Sequence, residues 1–219
     1  MSATNWKQYF DKKAETHGAS VQTSDYFNEE SFFRQRDNTL RWLGAVSGKT
    51  VLDAGCGVGA FSEPLVRGNV VTGVDFSEKS LAYAAKRGLR TSSADLTALP
   101  FADGHFDVVL CIGVIQLIPN YKPVLRELAR VTKPRGTLLV QTLNRGSVQR
   151  KLLGLVEKTK KFDTMYAMKD MARDFAELGL TDIAFLNQYH PFKFTTSGRS
   201  AGIVPHLLST SFAIKGCKR

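Results

Sequence analysis

Apolar positions along this chain change their period several times, and the changes mark out its elements. Behind the polar pair Lys49-Thr50, the run Val51-Leu52-Asp53-Ala54 reads as a short buried strand. It leads into Gly55-Cys56-Gly57-Val58-Gly59, with glycine at every second position, and then into a helix expected over residues 60–67. Val70 to Asp75 predicts a second strand, Ser77 caps a helix over Glu78 to Lys86, and Gly88 stops it. A third short strand runs Arg90 to Ala94 and ends at Asp95, and Leu99 to Gly104 is turn chemistry. Phe106 to Ile112 is the most apolar strand and is expected at the sheet centre. A helix from Pro123 to Thr132 buries Leu125 and Leu128, and Pro134-Arg135-Gly136 turns into a strand from Thr137 to Leu143.

Beyond Asn144 the pattern weakens until a helix from Thr164 to Leu178, which carries Met165, Met168, Met171, Phe175 and Leu178 on one face. Such a stripe is core packing. Ile183 to Leu186 is a sixth strand, Thr195 to Pro205 reads as a linker, and Ser211 to Lys215 as the last strand. At the other end, residues 5–23 form a loose helix and loop. Between Asp25 and Val46, Phe33, Leu40, Leu43 and Val46 fall near helical spacing.

Strands alternating with helices predict an α/β fold, a seven-stranded and mostly parallel sheet with helices on both faces. The last strand arrives without a helix before it, so it is expected to enter antiparallel as a hairpin partner of the sixth. Ligands of such sheets bind beyond the carboxyl ends of the strands, near the switch in strand order. Asp53, Gly55, Asp75, Asp95 and the stretch Cys111 to Gln116 stand at those ends. Glycine lets a strand-to-helix turn close tightly against a ligand, and the start of a helix offers free N–H groups. Taken alone, Gly55-x-Gly57-x-x-Ala60 also satisfies the dinucleotide fingerprint, so the glycines do not choose the cofactor.

Composition narrows the picture modestly. With 219 residues, 43% hydrophobic and 23% charged, the chain is expected to form one domain over residues 1–219. Residues 1–46 would be a helical entry or lid segment. Residues 47–219 would form the core, with substrate-side loops at 144–163 and 191–210. No apolar run is long enough to span a membrane, the start Met1 to Lys7 lacks the apolar core of a signal peptide, and Cys56, Cys111 and Cys217 have no metal spacing. A cytoplasmic protein with reduced thiols and no metal is the expectation. The net charge of +10 fits nucleic acid, an anionic surface, an acidic substrate or plain solubility. Its nearest approach to a cluster is Arg145, Arg150, Lys151, Lys158, Lys160 and Lys161.

The stretch Val51 to Gly59 resembles the first motif of the class I S-adenosylmethionine-dependent methyltransferases. Gly73-Val74-Asp75-Phe76-Ser77 resembles their second, Ala94-Asp95-Leu96 their third and Phe106-Asp107-Val108-Val109 their fourth. Leu125 to Thr137 is similar to the segment before their fifth strand. The likeness spans residues 50–141 in order and spacing, and it implies a Rossmann-like fold and S-adenosyl-L-methionine as cofactor. It implies that Asp53 holds the cofactor's amino group, directly or through water, while Gly55, Gly57 and Gly59 form the turn beside it. Asp75 would accept the ribose hydroxyls, Asp95 the adenine amino group, and the Leu96 N–H would reach a ring nitrogen. Phe76 is a candidate adenine platform, with Ser77 following it. Cys56 and Cys111 would pack beside the cofactor as small apolar groups. Arg36 stands where relatives often keep an arginine for the cofactor carboxylate, although a solvated helix face would explain it too and Arg34 competes. Asp95 as an ordinary turn aspartate also stays open.

Two departures matter. Relatives commonly carry a histidine after the fourth strand, whereas Val114-Ile115-Gln116-Leu117-Ile118 leaves Gln116 as the polar group; the usual Gly-Gly before the fifth strand is Arg135-Gly136. The candidates for base or acceptor contact are therefore His190, Gln116 and Tyr26. Gln141-Thr142-Leu143-Asn144-Arg145 loosely resembles quinone-ring O-methyltransferases, which implies a small, anionic or amphiphilic acceptor methylated on oxygen, with peripheral membrane contact for the basic stretch. The alternatives are an RNA methyltransferase, for which no added nucleic-acid module is present, a nucleotide-binding oxidoreductase, for which residues 95–113 offer no hydride-transfer set, and a cofactor-binding partner without activity.

Overall fold

Eight strands form one sheet: β1 (Thr50–Ala54), β2 (Val70–Asp75), β3 (Arg90–Ser93), β4 (Phe106–Ile112), β5 (Thr132–Leu143), β6 (Leu180–Gln188), β7 (Thr195–Gly198) and β8 (Ser211–Lys218). The computed structural model describes residues 3–24, 28–148, 165–188, 195–198 and 209–219. The strand order is β3-β2-β1-β4-β5-β8-β6-β7. Strands β1 to β5 pair in parallel, and β8 lies antiparallel between β5 and β6. The order reverses between β1 and β4, which puts the switch point at their carboxyl ends.

The six α-helices among the described residues are α1 (Ala3–His17), α2 (Glu29–Leu43), α3 (Glu63–Val66), α4 (Glu78–Lys86), α5 (Lys122–Val131) and α6 (Met168–Glu177). Leu125 and Leu128 of α5 and Met168, Met171 and Phe175 of α6 pack on one face of the sheet with Leu52, Val109 and Phe212. The methionine stripe is core. The other face packs Val51, Leu110, Leu139 and Ala213 against Leu81 and Ala84 of α4, with Trp42 and Leu43 of α2 alongside. A third cluster joins Phe32 of α2 to Val58, Ala60 and Phe61 of the glycine turn.

Several boundaries differ from the sequence reading for identifiable reasons. The sheet has eight strands, not seven, because Thr195–Gly198 adds a short edge strand antiparallel to β6. Its Ser-Gly end disguised it as linker, and it stands in the chain between β6 and β8, so those two are not a simple hairpin. Strand β6 is longer than Ile183–Leu186 because a register shift between Thr181 and Ala184, with Asp182 at φ +52°, breaks its alternation. Helix α3 is one turn because the glycine turn runs on to Ser62. Strand β5 starts early, at Thr132, and passes an irregularity where Arg135 takes φ +63°, the departure from Gly-Gly. Asp107 accepts bonds from the Thr50 N–H (2.9 Å), the Thr50 hydroxyl (2.7 Å) and Lys133 Nζ (2.9 Å), which places this motif residue at the amino edge as a structural tie.

Candidate active site

The turn after β1 is stitched to β2 before any ligand is considered. The N–H groups of Gly55 and Cys56 both donate to the Val74 carbonyl, at 2.7 and 3.0 Å. Gly55 sits at φ +80°, and a Cβ there would lie 2.2 Å from Val114 Cγ2. Its missing side chain makes room for the loop after β4. Gly57, at φ +51°, turns its N–H onto Asp75 Oδ2 at 2.8 Å. The Ser77 N–H donates to Oδ1 of the same carboxylate at 2.9 Å. Asp75 is thus held by backbone from both sides at the carboxyl end of β2. Burial pushes its carboxyl above the usual range, against the pull of those bonds.

Asp53 lies one strand over and is 1% exposed. The Ser62 hydroxyl donates to its Oδ2 at 2.6 Å, and no cation pairs with it among the described residues. Burial raises its pKa to about 6; the Ser62 bond opposes that shift, and the nearby Asp75 charge adds to it. Two carboxylates therefore share the switch point, and among the described residues no cation pairs with either. A ligand that brings a cation and a diol would satisfy both.

The comparisons agree with that geometry. Residues 52–140 match the model of the methyltransferase domain family. The chain is 31% identical to the ubiquinone biosynthesis O-methyltransferase of Bordetella bronchiseptica over 90% of its own length and 93% of the relative's. This chain belongs to the class I S-adenosylmethionine-dependent methyltransferases. A shorter match, 38% identical over 49% of this chain and 52% of the relative, is the enzyme of the same name from Dechloromonas aromatica. The fold matches that of magnesium protoporphyrin IX methyltransferase from Synechocystis with bound S-adenosylhomocysteine (TM-score 0.73, 19% identity, all of both chains). It also matches a possible histamine N-methyltransferase from Thermotoga maritima (TM-score 0.72, 19% identity, 97% and 99% of the two chains).

The cofactor of this methyltransferase is S-adenosylmethionine, and the residues present suit it. Its ammonium would supply Asp53 with a cation, and its ribose diol would supply Asp75 with further donors. Among the other expected contacts, the structure separates surface from support. Ser77 is fully buried, and its hydroxyl is spent on the Ser80 N–H (3.1 Å) and on Asp11 of α1 (2.6 Å). Cys111 has no accessible surface, and burial drives its thiol far above the usual range. Both stand behind the site. Cys56 is buried against Gly73, where a Cβ would come within 2.7 Å of its sulfur, and its thiol is also pushed up by burial. Gly59 serves packing, since a Cβ there would meet Ala84 at 3.1 Å.

Asp95 is exposed and folds back on its own turn, Oδ1 accepting both the N–H and the hydroxyl of Thr97 at 2.8 Å. Leu96, the next residue, is buried. Phe76 is half-buried at the end of β2. Gln116 is half-buried in the turn after β4, and Thr142 donates to its Oε1 at 3.5 Å. Arg36, 16% exposed by its side chain, pairs through Nε with Asp37 at 2.8 Å, stacks on Phe33 at 4.7 Å and donates to the Ala60 carbonyl at 3.3 Å. Arg34 pairs with Glu30 at 2.9 Å; the bond to Ala60 makes Arg36 the arginine at the glycine turn. Arg145 pairs with Asp170 at 3.4 Å. Tyr26, His190 and the basic residues 150–161 lie outside the described residues.

Sequence reasoning missed Ser62, Asp11 and the amide of Gln188. None of them carries a motif: Ser62 meets Asp53 only when the glycine turn folds back, Asp11 meets Ser77 from 66 positions away, and Gln188 holds α2 from 153 positions away.

Proposed function

We propose that this methyltransferase methylates an oxygen of a small, amphiphilic hydroxylated aromatic acceptor. The observation that carries the reading is the likeness to ubiquinone biosynthesis O-methyltransferases over nine-tenths of the chain. Asp53 takes the cofactor's amino group and Asp75 its ribose diol. Asp95 and the Leu96 N–H take the adenine edge against Phe76, and Arg36 takes the carboxylate. The backbone of Gly55, Gly57 and Gly59 forms the turn beside the methionine chain. Helices α1 and α2 cover the cofactor side as parts of the N-terminal lid.

When bound, S-adenosylmethionine supplies an electrophilic methyl group on a sulfonium. The chain's own work is to align the acceptor oxygen with that group, and orientation of this kind is worth roughly 7–11 kcal/mol. Gln116 is the polar group of the turn after β4, with Tyr26 and His190 as its acceptor-side companions. An amide orients a hydroxyl without competing for its proton. The basic residues from Arg145 to Lys161 would favour an anionic or membrane-borne acceptor.

Transfer of label from methyl-tritiated S-adenosylmethionine tests this. With an alkylated phenol and bulk tRNA offered side by side, label is expected in a phenol ether and not in tRNA, undiminished by excess chelator. Label in tRNA, or transfer that stops on chelation and returns with magnesium, overturns the reading.

A further inference from the structure

Helix α2 is fastened to the far side of the sheet by side-chain amides rather than by apolar contact alone. Gln188, the last residue of β6, is 2% exposed. Its Oε1 accepts from Gln35 Nε2 at 3.0 Å and from the Ser211 hydroxyl at 2.9 Å. Its Nε2 donates to the Thr39 hydroxyl at 3.0 Å. Its carbonyl takes the Thr210 N–H at 2.9 Å and the Thr210 hydroxyl at 3.2 Å. Gln35, Thr39 and Ser211 are all buried. One turn before Arg36 on α2, Phe32 packs edge-on against Phe61 of the glycine turn, with ring centres 6.4 Å apart.

Arg36 therefore follows the Phe32 attachment by one turn and stands in the helix between Gln35 and Thr39, the two residues that Gln188 holds. An apolar face would hold α2 down but would tolerate sliding or rotation. A buried amide with matched donors and acceptors admits one register. In that register the Arg36 guanidinium meets the Ala60 carbonyl at 3.3 Å. We propose that Gln188 is a positioning residue for the cofactor: its amide sets the register of α2, and so places Arg36 for the cofactor's carboxylate. The inference rests on the proposed role of Arg36.

The test is a double-mutant cycle on the full chain, read as S-adenosylhomocysteine affinity by titration calorimetry. Arg36→Ala and Gln188→Leu should each weaken binding on the order of tenfold. In the Arg36→Ala background, Gln188→Leu should cost less than about twofold, because its effect runs through the guanidinium. Thr39→Val removes only the hydroxyl that Gln188 donates to, and should weaken binding about threefold. Thr39→Ser keeps that hydroxyl and should bind like the native protein. If Gln188→Leu does not fold, the Thr39 pair carries the same cycle with Arg36→Ala.

Native affinity in folded Gln188→Leu, or losses that simply add to that of Arg36→Ala, overturn the proposal and leave the Arg36 assignment standing. Native affinity in Arg36→Ala overturns the assignment, and the proposal with it.

Discussion

Asp53 is the residue on which the site's electrostatics turn. Its carboxyl is raised to about 6 by burial, without a cation among the described residues. In the free protein the folded state then holds a proton that the unfolded chain has lost, over the interval between the ordinary aspartate value and about 6. The resulting stability is fully present below about pH 4 and lost as pH rises through 6, on the order of 3 kcal/mol in all. Urea unfolding across that range should show the fall, and Asp53→Asn should reduce it, leaving the share of the buried Asp75, while weakening S-adenosylhomocysteine binding. Gly55 makes a second prediction. Alanine there combines a left-handed backbone with a Cβ 2.2 Å from Val114 Cγ2, which should cost roughly 2–4 kcal/mol in denaturant unfolding. Val114→Ala in the same chain should return part of it; if it returns nothing, the contact is not the reason for the glycine. Asp53 and Asp75 were legible in the sequence because a carboxylate at a strand end beside glycine has few other uses. Ser62 was not, since a serine nine residues on becomes a partner only when the turn folds back.

At the scale of elements, α1 shows how little a polar pattern reveals about docking. It read as a loose helix and loop, yet it forms 15 residues of helix laid against α4. Asp11 takes the Ser77 hydroxyl, Lys7 reaches Glu78 at 3.9 Å and Glu15 pairs with Lys79. Ser77 thus caps α4 and tethers α1 with one hydroxyl. Ser77→Ala should cost about 1–2 kcal/mol of stability. It should also raise hydrogen exchange in α1 while strands β1 and β4 keep their protection. Unchanged exchange in α1 would mean that the helix is held elsewhere. Elements whose burial is continuous, such as β4 and α6, were readable from period alone. β6 and β7 were not, because a register shift and a Ser-Gly end hide the alternation that their pairing restores.

For the molecule as a whole, strand order decides where chemistry can happen. The reversal between β1 and β4 gathers Asp53, Asp75, the glycine turn and the loop carrying Val114 and Gln116 at one edge, while Asp107 and Lys133 are left at the opposite one. The order of motifs in the sequence foretold that edge because parallel strands joined by helices all point the same way. The cover of α2 was harder to foresee, since Gln35 and Gln188 are 153 positions apart and neither belongs to a motif. Among the described residues no helix is long and apolar enough to cross a membrane. Every role given to the site's residues depends on the cofactor being seated at that edge. Titration calorimetry of the native protein and Asp75→Ala, with S-adenosylhomocysteine and with NAD, tests it most directly. The native protein should bind S-adenosylhomocysteine and not NAD, and Asp75→Ala should lose roughly ten- to a hundredfold in affinity, the worth of hydrogen bonds to a charged group. Binding of NAD, or undiminished S-adenosylhomocysteine affinity without Asp75, would contradict it.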